Sequence, residues 1–403
     1  MKNNPLDDIV KCTVEISSPA SSDATFDTIL MITPGPSGAG KKTMGKTTPV
    51  SSADELLDYG FTVNDTAYSA ATVAFSQNPS PDEIYICIRA KKPEEPENSD
   101  DPDTSGEQEN NGEGMDEPKE PENTGAEAQA EKAEEYEDIR MTLARAKKEC
   151  GFYGIYISDF RDAADIENTM EWTESNEKIF GFEYTEYDKF PIKNFSYYRT
   201  FAMFSGLADG YEEDEQPKAN RYAALAWMAK CFGYDPGTET WAMKELATVM
   251  PSALDTAQKK ELEENNTGRF LRYGGCNITI GGNMLSGEWI DVIRFRDWIK
   301  NEMQIRVFNV IKVNRKVPFT DAGIGMIEGQ MIATLKKGQE VGGIADTEYD
   351  DDGNPTPGFT VTVPRALSFT EAERKSRKLT GCKYTARLAG AIHAVEIYGF
   401  LTF

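Results

Sequence analysis

The sequence predicts a doubly wound, largely parallel α/β sheet domain followed by an α+β C-terminal domain, with a β-arm at each chain end. Three observations lead there. Apolar runs alternate with helical stretches between residues 25 and 240, the pattern of right-handed βαβ crossovers. From about residue 241 long amphipathic helices take over. Both ends of the chain carry period-two apolar alternation, the mark of a strand with one buried face.

Val10, Cys12, Val14 and Ile16 alternate with Lys11, Thr13 and Glu15. The Ser/Pro-rich link SSPASSDA that follows lets this strand reach away from the body, so an internal edge strand and an arm added to another sheet are both open. Residues 1–20 are assigned to this arm. Next come an apolar run at 28–33 (TILMIT), a helical stretch at 52–77 and an apolar run at 84–88 (IYICI). A helix over 131–149, a strand at 152–157, a helix at 161–175, strands at 179–184 and 200–204, and a helix at 220–232 complete an α/β domain over 21–240. In the second domain, 241–390, Val292, Phe295, Ile299 and Met303 form one helical stripe and Ile324, Ile327, Met331 and Leu335 another, which Gly338 is expected to stop. Phe359, Val361 and Val363 alternate as a strand, a basic helix starts near Thr370, and Val395, Ile397, Leu401 and Phe403 alternate over a last strand in the arm 391–403.

The chain has 403 residues and a formal charge of −25, which disfavours nucleic acid and anionic lipid as partners. No run of eighteen apolar residues and no basic-then-apolar start occur, so neither a membrane span nor a signal peptide is expected. The 6 cysteines are scattered without a CxxC pair, so they are expected reduced and mostly buried, with no metal site. With one histidine, His393, any mechanism that needs two imidazoles is excluded, and a structural role is expected for it. Residues 93–135 hold 17 acids against Lys119 and Lys132, with no aromatic and no Val, Ile or Leu, and are expected to be a solvated, disordered surface insertion. By contrast, 290–316 carry seven basic and three acidic groups, and 365–390 seven and two. Basic stretches on an acidic chain suit an acidic partner.

Two motifs imitate ligand sites. Gly35-Pro-Ser-Gly-Ala-Gly40-Lys41-Lys42-Thr43 follows a strand and nearly matches a phosphate loop, but Lys42 stands where a magnesium-binding hydroxyl belongs. Gly45 and Pro49 also separate it from the next helix, whose start is expected at a Ser52-x-x-Glu55 capping box. Glu348 to Gly353 imitates half a calcium loop, with Phe359 where the closing acid should stand, and reads as a polar loop between strands. No catalytic residue, cofactor or metal is assigned.

The C-terminal half carries an ordered set of segments: Glu288-Trp-Ile-Asp291 leading into Arg294 and Asp297-Trp298; Val317-Pro-Phe-Thr-Asp321-x-Gly323; Gly358-Phe-Thr-Val-Thr-Val-Pro364; and Ala386-Arg-Leu-Ala-Gly-Ala-Ile-His393-x-Val-x-Ile397-x-Gly399. In that order, with TILMIT, 66–77 and IYICIR upstream, they resemble the tail sheath proteins of contractile phages and phage-tail-like bacteriocins. Residues 93–135 depart from the family pattern.

The resemblance implies a non-enzymatic structural protein of a virion tail or tail-like particle, assembled in the bacterial host cytoplasm. Such proteins polymerise as stacked hexameric rings around an inner tube, work with baseplate and tail terminator proteins, and contract to drive the tube through an envelope. It also implies that both chain ends add strands to neighbouring subunits, making Val10, Cys12, Val14 and Ile16, with Val395, Ile397, Leu401 and Phe403, the inter-subunit residues. The α/β domain would face outward and the second domain the tube, placing Arg374, Lys375, Arg377 and Lys378 on the tube side. Two other readings compete: a soluble acidic binding module, and a phosphotransferase built on Gly35–Lys41.

Overall fold

The structure is a computed structural model that describes residues 25–92, 136–186, 196–212 and 215–402. The expected N-terminal arm and the acidic insertion 93–135 lie outside the described residues. Apolar side chains at the first four positions of β1 (Ile29–Thr33) predict a strand covered on both faces, and all five of its residues are buried. The chain continues through β2 (Thr47–Val50), the one-turn α1 (Glu55–Asp58), α2 (Thr66–Phe75) and β3 (Ile84–Ile88). After the insertion come α3 (Ile139–Glu149), β4 (Gly154–Ile157), α4 (Ala163–Asn176), β5 (Ile179–Tyr184) and β6 (Thr200–Phe204). Then follow α5 (Ala223–Phe232), α6 (Thr256–Glu264), β7 (Gly268–Tyr273) and β8 (Cys276–Ile280).

These strands form one eight-stranded sheet in the order β2-β3-β1-β4-β5-β6-β7-β8. Pairing is parallel from β3 to β7, and the two outermost strands are antiparallel. Successive side chains of a strand point to opposite faces. Thus Ile29 and Met31 join α2 and α5 in one core, while Leu30 and Ile32 join α3, α4 and α6 in the other. This is the expected doubly wound sheet.

Residues 241–280, expected with the second domain, instead contribute β7 and β8 to this sheet. Their short apolar runs were masked by the polar α6 and the Gly274-Gly275 turn, where both glycines have positive φ. The single helical stretch expected over 52–77 is two helices, because Gly60 adopts φ 94° between them. Asp54, not Ser52, is the N-cap residue of α1, and the Glu55 carboxylate accepts from the Ser51 amide at 3.0 Å. Of the cysteines described, only Cys87 and Cys231 are buried, while Cys276 is exposed; all are free.

The second domain is a helical hairpin of α7 (Ile290–Val313) and α8 (Asp321–Glu340) under small β-elements. These are β9 (Glu348–Tyr349) with β10 (Pro355–Thr356), then β11 (Phe359–Thr362), the short α9 (Glu371–Lys375) and β12 (Lys383–Ala386). Phe295, Ile299, Met303 and Val307 of α7 meet Ile327, Met331 and Leu335 of α8 in a separate core. Gly338 does not stop α8. A Cβ there would lie 2.7 Å from Ile344, so glycine permits close packing within the helix, which ends two residues later.

Candidate functional site: an open hairpin and an unpaired tail

The chemistry of the second domain begins at its root. Ile290 and Ile293, in the first turn of α7, are buried in the core of the large sheet, whereas Phe295 onward belong to the second core, so this one helix joins the two. Charged residues fix the joint. The fully buried Arg294 donates to Glu239 at 2.6 Å and to the carbonyl oxygens of Phe26, Cys231, Phe232 and Tyr234. One turn on, Asp297 receives Arg199 at 2.8 Å, Arg296 at 3.0 Å and the Tyr153 hydroxyl at 2.7 Å. Burial alone would raise the Asp297 carboxyl, but the two guanidinium groups outweigh it and hold it below the usual range. Asp291 lacks such partners: burial and the nearby Glu239 charge push its carboxyl up to about 6. Within the motif Trp289-Ile-Asp-x-x-Arg294-x-x-Asp297, Arg294 and Asp297 therefore form a buried latch between domains.

Above the α7–α8 pair, β11 and β12 form a two-stranded antiparallel sheet with Phe359 opposite Ala386 and Val361 opposite Tyr384. Phe359, Val361, Tyr384 and Ala386 face the helices yet are only half-buried. A two-stranded sheet is marginal by itself, and its unpaired edges are templates for another strand.

The tail beyond β12 is first tied down and, from Val395 on, exposed. Ala345 donates to the Arg387 carbonyl at 2.8 Å, and Ala389 to that of Gly343 at 3.2 Å. No strand is assigned after Ala386 among the described residues, so the expected final strand does not form within this chain. Val395, Ile397, Tyr398, Phe400 and Leu401 are all at least 71% exposed, which is an unusual concentration of large apolar groups. Phe403 and Val10, Cys12, Val14 and Ile16 lie outside the described residues.

The basic residues Arg374, Lys375, Arg377 and Lys378 fall on and after α9, whose N-terminus is closed by the Thr370–Glu373 capping box. Lys375 pairs with Glu371 at 2.8 Å; the other three make no ion pair among the described residues. Phe319, in the loop between α7 and α8, packs edge-on against Phe369 at 5.1 Å. That contact sets the segment before α9 against the α7–α8 loop, which also carries Arg315 and Lys316, both exposed. The Phe319–Phe369 contact thus joins the segments that adjoin the two basic stretches, a juxtaposition that sequence spacing alone does not reveal.

The phosphate-loop imitation is corrected by its backbone. In an α/β sheet, ligands sit beyond the carboxyl ends of strands where the winding reverses, here β1 and β4. The loop after β1 does lie there. Yet Gly38 donates its amide to Gly60 at 2.9 Å and Lys42 to Asp58 at 2.9 Å, so those donors are spent within the protein. A Cβ on Gly40 would lie 2.4 Å from the Tyr59 carbonyl carbon, so this glycine serves close packing. The strand β2, not a helix, follows. Lys42 pairs with Asp58 at 3.1 Å. Likewise, Asp350 of the calcium imitation accepts from the Asp352 and Asn354 amides, and Glu348 pairs with Arg387 at 2.6 Å.

Comparison with known proteins agrees with this architecture. Residues 290–400 match the family described as E217 tail sheath protein gp31-like, C-terminal domain. No curated protein matches the chain in sequence. Among solved structures, a chain of the anti-feeding prophage baseplate is similar with a TM-score of 0.60 at 11% identity, covering 97% of this chain and 98% of that one. A chain of the PVC sheath complex of an extracellular contractile injection system, in its contracted state, gives 0.59 at 10% identity over 96% of each chain. A sheath tail protein from Listeria innocua gives 0.51 at 11% identity, covering 85% of this chain and 90% of that one. The segment built on α7, α8 and the small hairpin thus belongs to the tail sheath family, and the chain as a whole has the fold of sheath proteins from contractile tails.

Proposed function

We propose that this protein is the structural subunit of a contractile tail sheath, polymerising around an inner tube by exchanging strands between subunits. The observation that carries the reading is the pairing of an incomplete sheet with an unused strand in one chain. β11 and β12 have open edges, and the apolar residues 395–401 have no partner among the described residues. Val395, Ile397, Leu401 and Phe403 of one subunit, with Val10, Cys12, Val14 and Ile16 of another, would complete that sheet. Backbone ladders then link subunits while the tails flex, so the links survive rotation of the bodies.

Stacked hexameric rings and contraction follow from the same reading, as does location in a tail or tail-like particle. The sheet domain lies outward and the second domain toward the tube, with Arg374, Lys375, Arg377 and Lys378, joined by Arg315 and Lys316, facing acidic groups there. Individually such exposed pairs contribute about 1 kcal/mol or less, so the contact holds through number and releases cooperatively.

Negative-stain electron microscopy over a concentration series, comparing the full chain with one lacking residues 1–20, tests the reading. Rings or tubes from the full chain, with none from the truncated one, are expected in the presence of a co-expressed tube protein. Monomers from both under those conditions would favour a soluble binding module instead.

A further inference from the structure

The free tail has a fixed root, and the chain's single histidine is at it. His393 Nε2 lies 2.8 Å from Thr240 Oγ1, within hydrogen-bond distance. Its ring meets that of Trp289 edge-on, with centroids 4.9 Å apart and planes at 69°. Both contacts belong to the rigid joint between domains. Thr240 stands between Glu239, held by Arg294, and the fully buried Trp241, whose carbonyl receives Trp227 Nε1 and the Thr279 hydroxyl. Trp289 precedes the first turn of α7 and bridges Asn283. On either side of His393 the tail is open to solvent, with Ile392 85% and Val395 71% exposed. Gly390, at φ 67°, turns the chain between the Ala389 fastening and this contact.

We propose that His393 is the pivot of the C-terminal arm: pinned on Thr240 and Trp289, it fixes where residues 394–402 leave the body and in which direction. The inference rests on the arm reading above. An arm tethered at 393 searches a smaller volume than one tethered at 389. Effective concentration falls roughly as the −3/2 power of tether length, so release costs on the order of twofold from length alone. Loss of direction adds to this, because an arm held near its bound orientation surrenders less freedom on pairing. One hydrogen bond and one ring contact suffice for a direction without making the tail part of the core.

Because the histidine is unique, its imidazole Cε1–H gives a single proton signal in histidine-labelled full-length protein. Below the assembly concentration, the ring current of Trp289 should displace that signal from its unstructured position, and Trp289→Leu should return it there. In assembly assays, His393→Ala and Thr240→Val should each raise the critical concentration about two- to fivefold, with His393→Gln recovering part of the loss through its amide. A chain lacking residues 394–403 separates the two claims. If that chain assembles normally, the arm reading itself fails. If it does not assemble while His393→Ala assembles at the wild-type concentration, the pivot is overturned and the arm stands.

Discussion

Asp297 accepts from Arg199, Arg296 and Tyr153 at full burial, and each partner belongs to a different stretch of chain. Removing one member of such a buried set leaves the others charged and unpaired, which commonly costs about 3–5 kcal/mol. Asp297→Ala should therefore lower the unfolding free energy by that amount in denaturant titration, far more than Asp350→Ala on the surface. Lys178 lies close by, donating to the Phe152 carbonyl at 2.5 Å. Burial, with the Arg199 charge adding to it, pushes its ammonium down to about 7 against the opposing pull of Asp297. Between about pH 7 and the ordinary lysine range, the unfolded chain then binds more protons at this site than the folded one. Its contribution to stability should rise with pH over that window, by up to about 1.4 kcal/mol per unit. In Lys178→Met this portion of the pH slope should vanish. None of these contacts was legible in the sequence, which shows Arg294 and Asp297 as motif residues but not Glu239, Arg199 or Tyr153 as their partners. Pairings across tens to hundreds of residues leave no local signal.

At the scale of elements, hydrophobic periodicity identified β1, β3, β5 and β6 to within about a residue, because strands covered on both faces are almost continuously apolar. It failed where backbone geometry decides, as at Gly60, and where a strand is paired by tertiary context, as in β7 and β8. The tail was legible as alternation but not in its state, since no strand forms after Ala386 among the described residues. The stem of the acidic insertion is a further element. Lys91 bridges Tyr136 in antiparallel fashion, Glu137 donates its amide to Ala90 at 2.9 Å, and Arg89 pairs with Asp165 beneath them. The chain leaves and re-enters the fold at one closed point. Replacing residues 93–135 by a short Gly/Ser linker should leave the thermal midpoint within a few degrees and assembly intact; a large loss in calorimetry would show that the stem depends on the segment it closes. Charge reversal at Arg374, Lys375, Arg377 and Lys378 should likewise leave the monomer folded. Sheath that still assembled in extended form around the tube with those charges reversed would remove the tube-facing role of α9.

The whole molecule is a rigid joint with loose ends. Arg294 and Asp297 bind the helical domain to the eight-stranded sheet through buried charge, whereas the β11–β12 hairpin and the tail are left with unsatisfied edges and exposed apolar groups. This division suits a lattice whose subunits move as bodies while their strands stay linked. Two amides of the phosphate-loop imitation, those of Gly38 and Lys42, are bonded to Gly60 and Asp58; on the proposed reading, the motion would draw on a shift between two packings of the lattice. Cryo-electron microscopy of the assembled tube, at a resolution that separates strands, tests this most directly. Four strands on the α7–α8 face, two of them entering from neighbouring subunits, are the predicted result. A hairpin still of two strands, with residues 394–402 folded on their own subunit, would contradict it.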